Sequence, residues 1–115
     1  MKRYLFYFTA ICLITACGVP KPMYYWGDYN KAVYDYQKEQ TESSKKDLMK
    51  TFEKIISKSS KKGTRKKVPP GIYADYGFLL LQDGQLKKGM RMLEKEKKLY
   101  PESEKMVNYL MSQFK

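Results

Sequence analysis

A stretch between two prolines, residues 69–101, constrains this chain more than any other part of its sequence. Bulky residues and glycines recur there at helical spacing, and the pattern breaks at Gly84, where a tight turn fits. Gly77 and Gly89 lack a side chain, so two helix backbones can approach closely at these positions. Because a glycine inside a helix costs about 1 kcal/mol relative to alanine, we interpret both as packing positions. The stretch therefore predicts an antiparallel helical hairpin. Its predicted packing residues are Tyr73, Tyr76, Gly77, Leu80, Gly84, Gly89, Leu93 and Pro101.

The spacing of these residues resembles the tetratricopeptide repeat, a helix pair with a fixed order of bulky, small and proline residues. Gly77 and Pro101 match that pattern by identity, whereas the other positions match only in size or apolar character. Glu96 stands where the pattern has a small residue, so the junction there departs from a standard repeat. The segment 27–40 has the same residue spacing as the hairpin's second helix, which lies 57 residues later. A regular tetratricopeptide array repeats about every 34 residues. We predict repeat-like hairpins without a regular array; an ordinary amphipathic hairpin is the alternative.

Three further helices are predicted from apolar residues that share one face at the helical period. The first follows a turn and has Asp28 as its N-cap. The second has its N-cap at Ser43 or Ser44, with Asp47 favourable in its first turn, and ends near Ser57. The last follows Pro101 and caps the open end of the stack. The expected fold is all-α, with tetratricopeptide-like antiparallel helical hairpins and about five short helices after a cleaved signal peptide.

The N-terminus has the features of a bacterial lipoprotein signal. A basic start, residues 1–3, precedes an uncharged and largely apolar run of 12 residues, 4–15, whereas a transmembrane helix needs about 20. The run leads into the sequence ITAC at 14–17, which resembles the lipobox of bacterial lipoproteins. That resemblance implies cleavage after Ala16, a diacylglycerol on the Cys17 thiol and acylation of the new amine. A signal anchor in which Cys17 has no role is the alternative.

Three segments follow from this interpretation: a signal peptide at 1–16, a lipidated tether at 17–23 and a helical tetratricopeptide-like domain at 24–115. Two prolines in the tether favour an extended spacer. The tyrosines and tryptophan that follow it, Tyr24 to Trp26, either cap the helical core or lie at the membrane interface. The acyl chains on the tether are the predicted link to the membrane, because two or more chains anchor stably.

The charge of the mature chain limits its partners. Cleavage removes two of the 23 basic residues and none of the 12 acidic ones, which leaves a net charge of +9. Export makes nucleic acid an unexpected target, so an anionic membrane or an acidic partner remains. Gly18 follows the cysteine, where resemblance to Gram-negative lipoproteins implies that aspartate would cause inner-membrane retention. We expect the periplasmic face of the outer membrane, or the cell membrane if the source has a single membrane.

A basic loop, residues 58–67, carries six cations and no acidic residue. One interpretation is a solvated connection between helices. The other is a contact site for anionic lipid headgroups or an acidic partner. The candidate contact residues are Lys58, Lys61, Lys62, Arg65, Lys66 and Lys67.

The sequence shows no chemistry typical of an enzyme. It has no histidine, which removes the commonest general base and metal ligand together. Phosphate-binding loops, zinc spacings and dinucleotide fingerprints are missing, and Cys12 is lost with the signal. The glutamates near the end of the hairpin alternate with lysines, as surface ion pairs do. We expect a non-enzymatic protein with no catalytic residue, no cofactor and no metal.

Two segments together, 26–39 (WGDYNKAVYDYQKE) and 69–103, resemble a family of small bacterial lipoproteins that carry a domain of unknown function. The resemblance extends from about Met23 to the C-terminus. It implies a tetratricopeptide-like fold. It also implies that the gene lies beside genes for a lipoprotein similar to the curli secretion pore and for a second small lipoprotein. That gene context implies an accessory of an outer-membrane assembly.

The expected function is a lipid-anchored, non-catalytic envelope scaffold or adaptor that binds partner proteins of an outer-membrane assembly. An envelope lipoprotein or a secretion-pore-like protein is the expected partner. The alternative is a lipoprotein whose basic loop and aromatic residues bind anionic lipid directly. An accessory subunit of an enzyme that contacts peptidoglycan is a third hypothesis with less support.

The lipobox generates a first prediction. Cys17→Ser removes the thiol that receives the diacylglycerol, so acylation and cleavage after Ala16 are both lost. Incorporation of labelled palmitate and the mass of the mature chain measure these two events. Unchanged labelling of the variant would exclude the lipoprotein interpretation.

Overall fold

The computed structural model describes residues 21–114, which form five α-helices and one short 3₁₀ helix and contain no β-strand. The helices are α1 (Tyr29–Glu39), α2 (Glu42–Lys58), α3 (Ile72–Gln82), α4 (Leu86–Leu99) and α5 (Glu104–Ser112), with the 3₁₀ helix at Pro101–Ser103. The predicted all-α class with about five helices is confirmed for this range. The signal peptide 1–16, Ala16 and Cys17 lie outside the described residues. No helix within 21–114 combines the length and apolar character that crossing a bilayer requires.

The third helix, α3, organises the core because it is apolar on nearly all sides. Seven of its 11 residues are buried, as expected for a helix that packs against neighbours on more than one face. One side joins a cluster with α2 and the loop before α3, and α1 packs partly against it. The other side joins a smaller cluster with α4 and α5. The first cluster contains Leu48, Phe52, Ile55, Val68, Ile72, Tyr76, Leu79 and Leu80, and the second contains Ala74, Leu81, Leu93 and Val107.

Helices α3 and α4 form an antiparallel hairpin with a backbone-to-backbone contact at two glycines. A Cβ atom added to Gly77 would lie 2.9 Å from the carbonyl oxygen of Gly89 and 3.1 Å from Leu93 Cγ. A Cβ atom added to Gly89 would lie 2.7 Å from the side chain of Leu81 and 2.9 Å from the carbonyl oxygen of Gly77. Real Cβ atoms rarely come so close to backbone atoms, so any side chain here would separate the helices.

The other predicted hairpin residues lie around this contact. Tyr76, Leu80 and Leu93 are buried, and Tyr73 is half-buried against the first cluster. Gly84 forms the turn between α3 and α4 with a φ of +82°, which favours glycine. Pro101 begins the 3₁₀ helix just after α4 ends at Leu99.

The start of α2 differs from the sequence-based prediction. The helix begins at Glu42, and Thr41 is its N-cap, so the predicted N-cap at Ser43 or Ser44 is wrong. The Thr41 hydroxyl accepts a hydrogen bond from the Ser44 backbone N–H at 3.1 Å, and the Ser44 hydroxyl accepts one from the Thr41 N–H at 3.1 Å. This reciprocal capping box uses serine where glutamate or glutamine is usual, which explains why the pattern was missed. Asp28 occupies the N-cap of α1 but makes no side-chain capping bond.

Glu96 of α4 caps the N-terminus of α3 from the neighbouring helix. The N-cap of α3 is Gly71, which has no side chain to satisfy the first free N–H groups. Glu96 Oε1 accepts a hydrogen bond from the Gly71 N–H at 2.8 Å, although Glu96 is only 2% exposed. Its other oxygen, Oε2, is buried without a hydrogen-bond partner in the described residues. Burial raises the pKa of Glu96 above its ordinary value, while the Gly71 N–H favours the ionised form.

The glycine contact generates a stability prediction. Gly77→Leu and Gly89→Leu each lower the free energy of unfolding by about 1–3 kcal/mol or more, because the new side chain overpacks the α3–α4 contact. Lys87→Leu is the matched control, since it adds the same side chain at an exposed position of α4 and changes stability by about 0.5 kcal/mol at most. Urea midpoints measure the effect, and equal midpoints for the three variants would contradict the packing model.

Glu96 generates a pH prediction. Since its folded-state pKa lies above the ordinary value of 4.5, the folded chain holds the proton more tightly than the unfolded chain. The free energy of unfolding therefore falls as the pH rises above 4.5. Glu96→Gln keeps an oxygen for the Gly71 N–H but does not titrate. The free energy of unfolding of this variant, minus that of the native chain, therefore increases from pH 4.5 to pH 7. Urea unfolding at both pH values measures this difference, and a constant difference would show that Glu96 is not the titrating group.

Candidate functional site

The candidate binding site is a groove of about 350 Å³ bounded by α1, α2 and α3. Apolar and aromatic side chains form most of its lining, with a few polar groups among them. This composition is typical of pockets that bind an apolar segment with a small number of directional contacts. Its lining residues are Tyr29, Val33, Tyr36 and Gln37 of α1, Leu48 and Phe52 of α2, and Asp75, Phe78, Leu79 and Gln82 of α3.

The groove exists because α1 packs against its neighbours only along one edge. None of the residues of α1 is fully buried, even though the helix is amphipathic. Tyr29, Val33 and Tyr36 are half-buried against the first core cluster and line the groove as well. The short connection through Gln40 and Thr41 holds α1 beside α2. The apolar face of α1 therefore remains partly free for another molecule.

A row of four aromatic rings runs from the surface into the core, and its two middle members, Tyr29 and Phe52, line the groove. The ring centroids of Trp26 and Tyr29 are 5.4 Å apart, and those of Tyr29 and Phe52 are 6.2 Å apart. Phe52 continues to Tyr76 at 5.8 Å. The Tyr76 hydroxyl donates to Glu53 Oε1 at 2.6 Å, which fixes the inner end of the row. Rings at these separations attract one another, so the row joins α1 to α2 and α3.

Asp75 places a carboxylate at the edge of this apolar surface. The Tyr29 hydroxyl donates a hydrogen bond to Asp75 Oδ2 at 3.2 Å, and this bond joins α1 to α3. Partial burial raises the pKa of Asp75 above its ordinary value, and the Tyr29 bond opposes that rise, although the residue as a whole is exposed. A cationic group entering the groove would find an acceptor here. The arrangement suits an apolar segment that carries a lysine or an arginine.

The predicted cations of the basic loop surround the connection between α2 and α3. Lys61, Lys62, Arg65 and Lys66 are exposed, whereas Lys58 and Lys67 are half-buried. The ion pairs found within residues 21–114 involve none of these six residues. Two of the lysines lie over aromatic rings instead: Lys62 Nζ is 5.2 Å from the Tyr25 ring centroid, and Lys67 Nζ is 5.1 Å from that of Tyr100. The loop is therefore a cationic surface, two of whose lysines are held over aromatic rings.

The end of the tether lies directly on the basic loop, a contact that the sequence did not predict. The Thr64 N–H donates to the Pro22 carbonyl at 3.1 Å, and the Arg65 N–H donates to the Met23 carbonyl at 3.0 Å. Gly63 permits this approach because a Cβ atom there would lie 2.8 Å from the Met23 carbonyl oxygen. Its φ of +81° also favours glycine. The glycine within the cationic run was the only sequence signal of this contact.

The described residues divide the predicted site residues into separate groups. The hairpin residues surround the contact between α3 and α4, with Gly84 at the turn and Pro101 just after α4, and the six cations lie at the connection between α2 and α3. The groove itself was not predicted, because its lining comes from three helices far apart in the sequence. No group of three or more histidine, cysteine, aspartate or glutamate side chains suited to a metal ion occurs within residues 21–114. Cys17 and Ala16 lie outside that range.

Comparison with known proteins identifies a family. The family model described as "Domain of unknown function (DUF4810)" matches residues 23–110. No curated protein and no solved structure matches the chain.

Proposed function

The chain belongs to the DUF4810 family, a domain of unknown function, and from this premise we propose that it is a lipid-anchored, non-catalytic adaptor that holds another envelope protein in the groove bounded by α1, α2 and α3. The family description assigns no activity, so the proposal depends on the residues themselves. The lipobox supports the anchor, and the groove supports the adaptor role.

One observation carries the proposal: the apolar face of α1 is only partly buried, although the other helices form a complete core. A helix of a small domain normally buries its apolar stripe against the core. Here Tyr29, Val33 and Tyr36 remain half-buried along a groove that continues to Phe78 of α3. Aromatic residues in partly closed grooves are the usual anchors of protein interfaces. A partner side chain that enters the groove would complete their burial.

The chemistry of the groove defines the segment that fits it. The rings favour apolar side chains, and Asp75 favours one lysine or arginine among them. Gln37 and Gln82 are exposed polar residues at the rim and suit hydrogen bonds to the backbone of the bound segment. The proposed occupant is an apolar segment of another envelope protein with one cationic residue. A helix laid into the groove is one geometry of this kind.

The cellular setting follows from the sequence. The signal and lipobox support export and lipidation at Cys17, and the residue after the cysteine supports the outer membrane. The resemblance to small lipoproteins encoded beside secretion-pore-like lipoproteins supports an accessory role in an outer-membrane assembly. The tetratricopeptide-like spacing of the α3–α4 hairpin supports a fold that presents a binding surface. The partner is then another lipoprotein or a secretion-pore-like protein of that assembly.

Site-specific photocrosslinking in intact cells tests the adaptor role. A photoreactive amino acid replaces Gln37 or Gln82 at the rim of the groove, and the same amino acid replaces Tyr34 or Tyr109 as matched controls. Tyr34 and Tyr109 are 61% and 64% exposed and do not line the groove. We expect one discrete crosslinked protein from the rim positions and none from the controls.

The Asp75 carboxylate provides a second test of the proposed groove. Asp75→Asn keeps the size of the side chain and the acceptor for Tyr29 but removes the negative charge, so we expect a tenfold or greater loss of affinity for a purified partner. This loss matches the roughly 1.5–3 kcal/mol of a charge-assisted hydrogen bond. Equal crosslinking at all four positions, or unchanged affinity after Asp75→Asn, would contradict the proposed groove.

A further inference from the structure

The basic loop and the end of the tether form one surface. Their backbones are joined by the two hydrogen bonds from Thr64 and Arg65 to the Pro22 and Met23 carbonyls. The Lys62 ammonium lies over Tyr25, just after the tether. Gly63 leaves no room for a side chain between the two segments. The basic loop and the end of the tether are therefore held together, so the loop lies wherever the end of the tether lies.

The composition of this surface is typical of a membrane contact. The loop has four exposed cations. Met23, whose carbonyl is bonded to the loop, is 48% exposed, and Trp26, three residues later, is 40% exposed. Cations attract anionic headgroups, and tryptophan favours the boundary between headgroups and acyl chains. No carboxylate pairs with the loop cations within residues 21–114, so their field is not cancelled locally.

The length of the tether limits how far this surface can lie from the predicted anchor. Pro22 is five residues after Cys17, and five residues span at most about 18 Å when fully extended. A flexible chain of that length has a typical end-to-end distance of about 12 Å. Lysine and arginine side chains extend further toward the headgroups. An acylated Cys17 therefore keeps the loop cations next to the membrane that holds it.

We propose that residues 61–66, together with Met23 and Trp26, form a membrane-facing surface that binds anionic phospholipid headgroups and sets the orientation of the domain. The proposal rests on the lipid anchor of the proposed function. An acidic protein is a less suitable partner, because the tether would hold the same surface against the membrane. The groove then has a fixed direction relative to the bilayer.

Trp26 is the only tryptophan of the chain, is 40% exposed and follows directly after Tyr25, whose ring lies under the Lys62 ammonium, so its fluorescence reports the contact. The acylated mature chain, which begins at Cys17, is reconstituted into phosphatidylcholine vesicles with or without phosphatidylglycerol. Each vesicle contains a lipid with a spin-labelled headgroup that quenches nearby tryptophan. We expect stronger quenching on the anionic vesicles and loss of that difference at high salt. This measurement requires no substitution, so it does not depend on the folding of a variant.

A matched pair of variants assigns the effect to the loop. The loop variant changes Lys61, Lys62, Arg65 and Lys66 to glutamine. The control variant changes Lys46, Lys50, Lys87 and Arg91 to glutamine, and these are also three exposed lysines and one exposed arginine. Each cation near an anionic surface increases binding about fivefold. The binding constant of the loop variant for the anionic membrane surface is therefore lower by on the order of a hundredfold or more. The control variant keeps the quenching difference.

The outcomes separate this proposal from the proposed function. Equal quenching of the native chain on neutral and anionic vesicles would overturn the membrane-facing surface, and so would an equal loss in both variants. Loss of a co-purifying acidic protein from the loop variant, without a change in quenching, would also overturn it. Failure of the native chain to carry acyl chains, seen in its mass, would overturn the anchor instead.

Discussion

The backbone contact between α3 and α4 at Gly77 and Gly89 is the interaction on which the described fold depends. It brings the two helices close enough for Leu93 to enter the second cluster and for Glu96 to reach the N–H of Gly71. That bond fixes the start of α3, which begins a few residues after the basic loop ends. The same helix then supplies Asp75 and Phe78 to the groove. Both surfaces proposed for this protein are therefore positioned by one close approach of two helices.

The basic loop before α3 is held from three directions, which fixes the backbone that carries the six cations. The tether pairs with its backbone at Thr64 and Arg65, and Val68 and Pro69 are buried at its end. The Tyr100 hydroxyl donates to the Val68 carbonyl at 2.7 Å, and burial raises the pKa of this tyrosine. Backbone bonds and buried apolar residues thus provide the rigidity that carboxylates would otherwise supply. The cost is repulsion among the cations, which an anionic surface would reduce.

Local patterns predicted the helices well, because helical spacing, glycine and proline act over a few residues. The bounds of α3 and α4 agree with the spacing around Gly77, Gly84 and Gly89. Other features depend on residues far apart in the sequence and have no local signal. The bond from Tyr29 to Asp75 joins residues 46 positions apart, and no pattern within α1 indicates it. Glu96 departs from the tetratricopeptide pattern, and the structure gives the reason: this position of α4 caps the neighbouring helix.

The loose attachment of α1 has a dynamic consequence. A helix without a fully buried side chain opens locally at lower free energy than one that forms the core, so α1 lies at the least stable end of this domain. Since α1 is one wall of the groove, the width of the groove fluctuates with the helix while the α3 wall stays fixed. Binding of a segment would then order α1, and part of the binding free energy would be used to restrict its motion. Amide hydrogen exchange in α1 would slow on binding, while exchange in α3 would stay slow in both states.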